Sequence, residues 1–198
     1  YGPSFDGLYY AYKQMSGDFA MIAKVTSESG STNGLAQAGV MVRESLANNA
    51  KMIAANLITG TGGVVSTQRV ANASDTNTTV QRHSRATLPY WVKVQRVGNT
   101  ITTYDSQDGV TWTAIINTAY TIASTVYVGL GVTSHDSSQL HTATFTNVSI
   151  TGGGGAIPDG TYKLINRASG KCLDNGGSTT NMNTDITWDN VSTHTHPV

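Results

Sequence analysis

The sequence predicts an all-β protein built as two packed antiparallel sheets. Three observations carry this. Apolar and polar residues alternate with period two in about ten short segments. Turn residues separate those segments at regular spacing, and no segment keeps a 3.6-residue apolar stripe beyond two turns. Two stacked antiparallel sheets bury such alternating faces against each other.

Taken in order, Leu8 to Lys13 places Leu8, Tyr10 and Tyr12 on one face and Tyr9 and Ala11 on the other. Phe19 to Val25 gathers Phe19, Met21, Ala23 and Val25 on one side. In Ala36 to Glu44, Ala38, Val40 and Val42 share a face, while Gln37, Met41 and Arg43 share the opposite one. Further strands are predicted at 51–57, 63–70, 80–83, 90–96, 100–105, 111–115, 127–134 and 142–150. Ala47–Leu57 is ambiguous, because its Ala and Met also suit a short helix. Ser16-Gly17-Asp18, Thr61-Gly62-Gly63, Val97-Gly98-Asn99 and Gln107-Asp108-Gly109 supply turn residues that tolerate positive φ.

Composition narrows the function classes. The 198 residues are 38% hydrophobic and only 12% charged, so Ser, Thr, Asn and Gly must carry solubility, as in many extracellular β-proteins. Twelve Lys plus Arg balance twelve Asp plus Glu, and a phosphate-reading protein needs a basic excess, which argues against nucleic acid. No run approaches the roughly 18 apolar residues of a membrane span. The single cysteine, Cys172, excludes an internal disulfide.

Four glycines at 152–155 mark a hinge, since each has wide backbone freedom and nothing to pack. The expected organisation is a first unit at 1–151, a Gly-rich linker at 152–156 and a second unit at 157–198.

Several motifs fall in order in the first unit. They are Ser16-Gly17-Asp18, Ala38-Gly39-Val40-Met41-Val42-Arg43-Glu44-Ser45, Tyr90-Trp91-Val92-Lys93-Val94, Asp108-Gly109-Val110-Thr111-Trp112, Val126–His135 and Ala143–Val148. This set resembles the concanavalin A-like (laminin G-like) jelly-roll modules appended to bacterial secreted glycoside hydrolases. The resemblance implies a jelly-roll sandwich, an extracellular location and a glycan partner. Modules of this type usually begin with one or two strands ahead of the segment at Tyr1, so an edge strand is expected to be missing.

Residues 157–190, with Ile157-Pro158-Asp159-Gly160-Thr161-Tyr162 and Cys172-Leu173-Asp174, resemble the opening repeat of a ricin-type β-trefoil lectin. Asn190 stands where that family often has a second cysteine, and Ile186 where it has glutamine. One repeat of three implies a fragment, in which Asp174 matches the residue that accepts sugar hydroxyls but lacks its surroundings.

Glycosidase chemistry needs two carboxylates facing one bond. Most acids of the first unit sit in turns, and Glu44 and Asp105 are the strand-associated pair a hydrolase or lyase would use. No Gly-x-Ser-x-Gly elbow occurs. His194-Thr195-His196 could ligate a metal, against the alternative of a frayed end. Calcium could be held by Asp108 with Asp105 and Ser106, or by Asp136 with Ser137, against turn capping by the same side chains. No cofactor is required.

Sugar recognition combines aromatic rings that stack on pyranose faces with amide and guanidinium donors for the hydroxyls. Polar residues on the face opposite the core supply that mixture. The expected contacts are Tyr10, Tyr12, Gln37, Arg43, Arg82 and Trp91, with Lys93 and Gln95 beside Trp91. Trp112 reads as a structural plug behind its hairpin. The sequence thus points to a secreted, non-catalytic carbohydrate-binding module. The alternatives are a jelly-roll hydrolase or lyase, and an adhesive unit assembling through an unpaired sheet edge.

Overall fold

A computed structural model describes residues 7–58, 62–71, 78–153 and 160–165; the strands at 78–85 and 160–165 enter through their backbone pairing alone. All regular structure among these residues is β. The strands are β1 (Tyr9–Ser16), β2 (Phe19–Ser29), β3 (Gln37–Arg43), β4 (Met52–Ile58), β5 (Gly63–Arg69) and β6 (Thr78–Arg85), followed by β7 (Tyr90–Val97), β8 (Thr100–Ser106), β9 (Thr113–Ala119), β10 (Thr125–Thr133), β11 (Thr142–Gly152) and β12 (Gly160–Ile165). They form two six-stranded antiparallel sheets, β1-β10-β3-β4-β5-β6 and β12-β11-β2-β7-β8-β9. The predicted jelly-roll sandwich is the observed architecture.

Period-two alternation sorts the side chains between core and surface. Phe19, Met21, Ala23 and Val25 of β2, Ala38, Val40 and Val42 of β3, and Val126, Val128, Leu130 and Val132 of β10 all enter one central core. Each such side chain contributes about 1.5–3 kcal/mol on burial. A polar chain links the two sheets through this core. Ser66 Oγ donates to the Ala54 carbonyl at 3.0 Å and lies 2.8 Å from Thr103 Oγ1, which accepts from Ile116 N–H at 3.2 Å. Ser66 has a single proton, so Thr103 must donate to it, and every group is satisfied. Ile116 N–H takes Thr103 Oγ1 where the β8–β9 register shifts, between Thr103 and Tyr104.

The ambiguous stretch at 47–57 resolves as a loop followed by β4, because pairing with β3 and β5 outweighs helix propensity. β9 begins at Thr113 rather than Thr111. Asp108 takes the N–H groups of both Val110 and Thr111, which prolongs the turn before the strand starts. β12, which follows the glycines at 152–155 in the sequence, pairs with β11 as an outer strand of the second sheet. The remainder of the trefoil-like segment, with Cys172, Asp174, His194 and His196, lies outside the described residues.

Candidate functional site

The outer face of the first sheet carries most of the predicted contact residues. Its rows follow from the register. One runs Tyr10, Gly131, Gly39, Asn56, Val65 and Arg82; the next runs Tyr12, Gly129, Met41, Ala54, Thr67 and Val80. Three glycines therefore stand where neighbouring strands would present side chains, and the Tyr10 ring reaches across that gap. Its hydroxyl meets the carbonyls of Tyr127 at 2.7 Å and Met41 at 3.0 Å, sharing one proton between two strands. Tyr10 is buried, with Leu8, Met41, Met52 and Ala54, in a second apolar cluster on this face.

Tyr12 stacks on Tyr10 with centroids 5.4 Å apart and planes 27° apart. Tyr127 meets Tyr12 edge-on at 5.2 Å and 81°. Both arrangements suit the ring quadrupole. Tyr12 and Tyr127 are half-buried and stay partly open to solvent, and exposed Gln14 donates its amide to the Tyr127 hydroxyl at 3.0 Å. Burial, and then the nearby Tyr127 hydroxyl, push the Tyr12 pKa up, so this phenol stays neutral. Tyr127 completes the cluster without having been predicted. The legible signal was Val126-Tyr127-Val128, where alternation turns the ring away from two core valines.

Gln37 and Arg43 share this face but are buried beneath its surface. Gln37 Oε1 accepts from Asn56 Nδ2 at 3.3 Å. Arg43 donates to the carbonyls of Ala47 at 2.7 Å and Ser45 at 3.4 Å, while Arg69 donates to those of Ala50 at 3.0 Å and Asn48 at 3.3 Å. Two guanidinium groups thus anchor the loop between β3 and β4, which folds over this face. That is a correction: Arg43 supports the loop instead of presenting its donors to solvent. Arg82 is placed by register opposite Val65, and its side chain lies outside the described residues.

Trp91 does not join this group. Alternation sends Tyr90 into the core, where its hydroxyl donates to Asp105 Oδ2 at 3.1 Å, and turns Trp91 to the outer face of the second sheet. There it meets Lys24, while Lys93, Tyr104 and Trp112 lie together on the same face. Lys24 Nζ lies 5.5 Å from the Trp91 ring centroid; Lys93 Nζ lies 4.0 Å from that of Tyr104 and 4.4 Å from that of Trp112. Gln95 Oε1 accepts from the Tyr104 hydroxyl at 3.2 Å.

The acids are otherwise engaged. Glu44 accepts from Ala123 N–H at 3.1 Å and pairs with Lys51 at 3.6 Å, at the end of the sandwich where Thr100 pairs with Ala119. Asp105 is buried five residues along β8 from Thr100, about 17 Å away at a strand's rise per residue. They do not face a common bond. Asp108 accepts from Val110 and Thr111 N–H at 2.8 and 2.7 Å, bonds that hold its carboxyl far below the usual range. Asp136 similarly takes Ser138 N–H at 2.9 Å and the Gln139 amide at 2.7 Å. Both act as turn caps, and among the described residues no three His, Cys, Asp or Glu converge on a metal position.

A family model described as "Protein of unknown function (DUF1349)" matches residues 2–152. The chain belongs to the DUF1349 family. No curated protein matches it. Among solved structures, this DUF1349 chain is similar to a functionally unknown protein from Saccharomyces cerevisiae, at 18% identity and TM-score 0.57 over 76% of this chain and 77% of that one. At that identity the likeness concerns the fold. Weaker matches, each at 17% identity and TM-score 0.46, are the carbohydrate-binding module CBM66 from Bacillus subtilis and a GH43 protein from Bacillus licheniformis. The first covers 75% of this chain and 97% of that module; the second covers 59% and 24%.

Proposed function

We propose that this DUF1349 domain is a non-catalytic carbohydrate-binding module that holds a secreted polysaccharide-active protein on its glycan. The tyrosine cluster of the first sheet carries the reading. Two partly open rings, Tyr12 and Tyr127, are fixed by a buried third, and the Gln14 amide lies beside a phenolic hydroxyl. The rings suit the hydrogen-rich face of a pyranose, and the amide and phenols suit its hydroxyls. Because Tyr10 is locked to two strands, little side-chain entropy remains to be lost on binding.

A sugar on an aromatic face removes roughly 50–100 Å² from water, worth about 1–2.5 kcal/mol per ring. Set against an association cost of several kcal/mol, one or two stacks correspond to dissociation constants from about millimolar to micromolar. Weak binding of this kind serves a tethered partner by raising its local concentration. Separation of Glu44 from Asp105 favours binding over hydrolysis.

Affinity electrophoresis on neutral plant and microbial polysaccharides tests this, with reducing sugar measured in parallel. Retention without released sugar is expected, and Tyr12→Ala should weaken it about 5- to 50-fold. Release of sugar would move the domain to the hydrolase reading. Retention unchanged in both Tyr12→Ala and Tyr127→Ala would remove the tyrosine cluster from it.

A further inference from the structure

The outer face of the second sheet presents a different chemistry from the tyrosine cluster. Register places Lys24 directly opposite Trp91 and Lys93 directly opposite Tyr104, on adjacent strands β2, β7 and β8. Trp112 closes the same patch from the turn that precedes β9. All three rings and Lys93 are half-buried. Neither ammonium has a carboxylate within ion-pair distance among the described residues; each rests on rings alone.

The platform is held rigid from behind. A Cβ on Gly109 would lie 2.6 Å from Trp91 Cε2, so the glycine of this turn packs directly on the indole. The turn is in turn fixed by Asp108, whose oxygens are occupied by Val110, Thr111 and Ser106. That carboxylate is the one acidic group of the turn, and Lys24 and Lys93 outnumber it on this face.

Two ammonium groups resting on aromatic rings select among ligands. A neutral sugar stacking on Tyr104 or Trp112 must displace Lys93 and forfeit a cation–π contact worth about 0.5–2 kcal/mol. An acidic sugar retains the ammonium and adds a charge-assisted hydrogen bond to it. A polyphosphate is a poorer fit, because two lysines release few counterions and the chain has no net charge. We infer that the Lys24–Trp91–Lys93–Tyr104–Trp112 face is a second glycan site, specific for polymers of uronic acids. Binding on both sheets would let one domain bridge a neutral and an acidic polysaccharide.

The test uses a pair of ligands in which esterification removes the charge and adds one methyl group per sugar, polygalacturonate and its methyl ester, with alginate as a second polyuronate. Tryptophan fluorescence, measured in a Trp188→Phe background that leaves Trp91 and Trp112 as the remaining tryptophans, reports on this face. The expected result is at least about tenfold tighter binding of polygalacturonate than of its ester at low salt, lost in Lys24→Gln/Lys93→Gln and retained in Lys13→Gln. Equal affinity for acid and ester, undiminished binding by the double variant, or no binding of either polyuronate would overturn the assignment. Equal affinity for a single-stranded oligonucleotide would also overturn it. Neutral polysaccharides read the tyrosine cluster and the charged pair reads this face, so either site can fail alone.

Discussion

Gly129→Ala should unseat the edge strand that builds the tyrosine cluster. A Cβ at this position would lie 1.9 Å from the Ala11 carbonyl oxygen and 2.7 Å from Tyr12 Cα. Carbon–oxygen contact needs about 3.3 Å, so the strands must part by more than about 1 Å. Both obstacles are backbone atoms and no rotamer relieves them. β10 is also bonded to β3 on its other side, which leaves edge strand β1 as the element that moves. Forced overlap in a packed region costs about 1–3 kcal/mol, and the Tyr10 hydroxyl stands to lose bonds worth about 1 kcal/mol each. The sum, about 2–5 kcal/mol, should lower the urea midpoint by about 1–3 M. Near-ultraviolet circular dichroism should lose its tyrosine signal. Gly17→Ala is the control: its φ of +73° carries a conformational cost of about 1–2 kcal/mol, but the added Cβ meets no atom within 4 Å. A Gly129→Ala protein within about 0.5 kcal/mol of the parent, with its tyrosine signal intact, would refute the close-approach account.

Thr103→Val keeps the shape of the side chain but strands Ile116 N–H and removes the donor to Ser66. It should cost about 1–3 kcal/mol in urea unfolding, while Thr103→Ser should be markedly milder; equal stability of Val and parent would refute the directed chain. Glu28 is buried against His141, with Oε1 and Nε2 3.2 Å apart, and burial raises its pKa above the ordinary 4.5 despite the opposing effect of that bond. The folded state therefore holds the Glu28 proton more tightly than the unfolded chain. Its contribution is present below pH 4.5 and is lost as pH rises through the raised value. Glu28→Gln should flatten that part of the stability–pH curve, and an unchanged slope would contradict the assignment.

Much of the fold was legible because alternation is a local property. Phe19, Met21, Ala23 and Val25, or Ala38, Val40 and Val42, had to face one way once their segments were strands, and they all entered the core. The outward face of Trp91 was readable for the same reason, whereas in Leu8–Lys13 both alternating sets are apolar, so the period separated Tyr10 from Ala11 without deciding which faced the core. Which sheet each strand joined was not readable, since antiparallel partners are chosen by long-range packing. β10, late in the chain, sits between β1 and β3, and this alone brings Tyr127 to Tyr12. Arg43 was read as a solvent-facing donor because its face was right; the loop that folds over it leaves no period in the sequence.

The sequence by itself determined the all-β class, the positions of most turns and, wherever apolar and polar residues alternate cleanly, the split of a strand into an inward and an outward set. These follow from side-chain period and turn stereochemistry, which act over a few residues. The tertiary structure alone decided that the outward residues divide between two opposed faces, one of stacked tyrosines and one of lysines on aromatic rings. Register and sheet membership are set by burial across distant strands, and that collective balance is what separated Trp91 from Tyr10 and Tyr12.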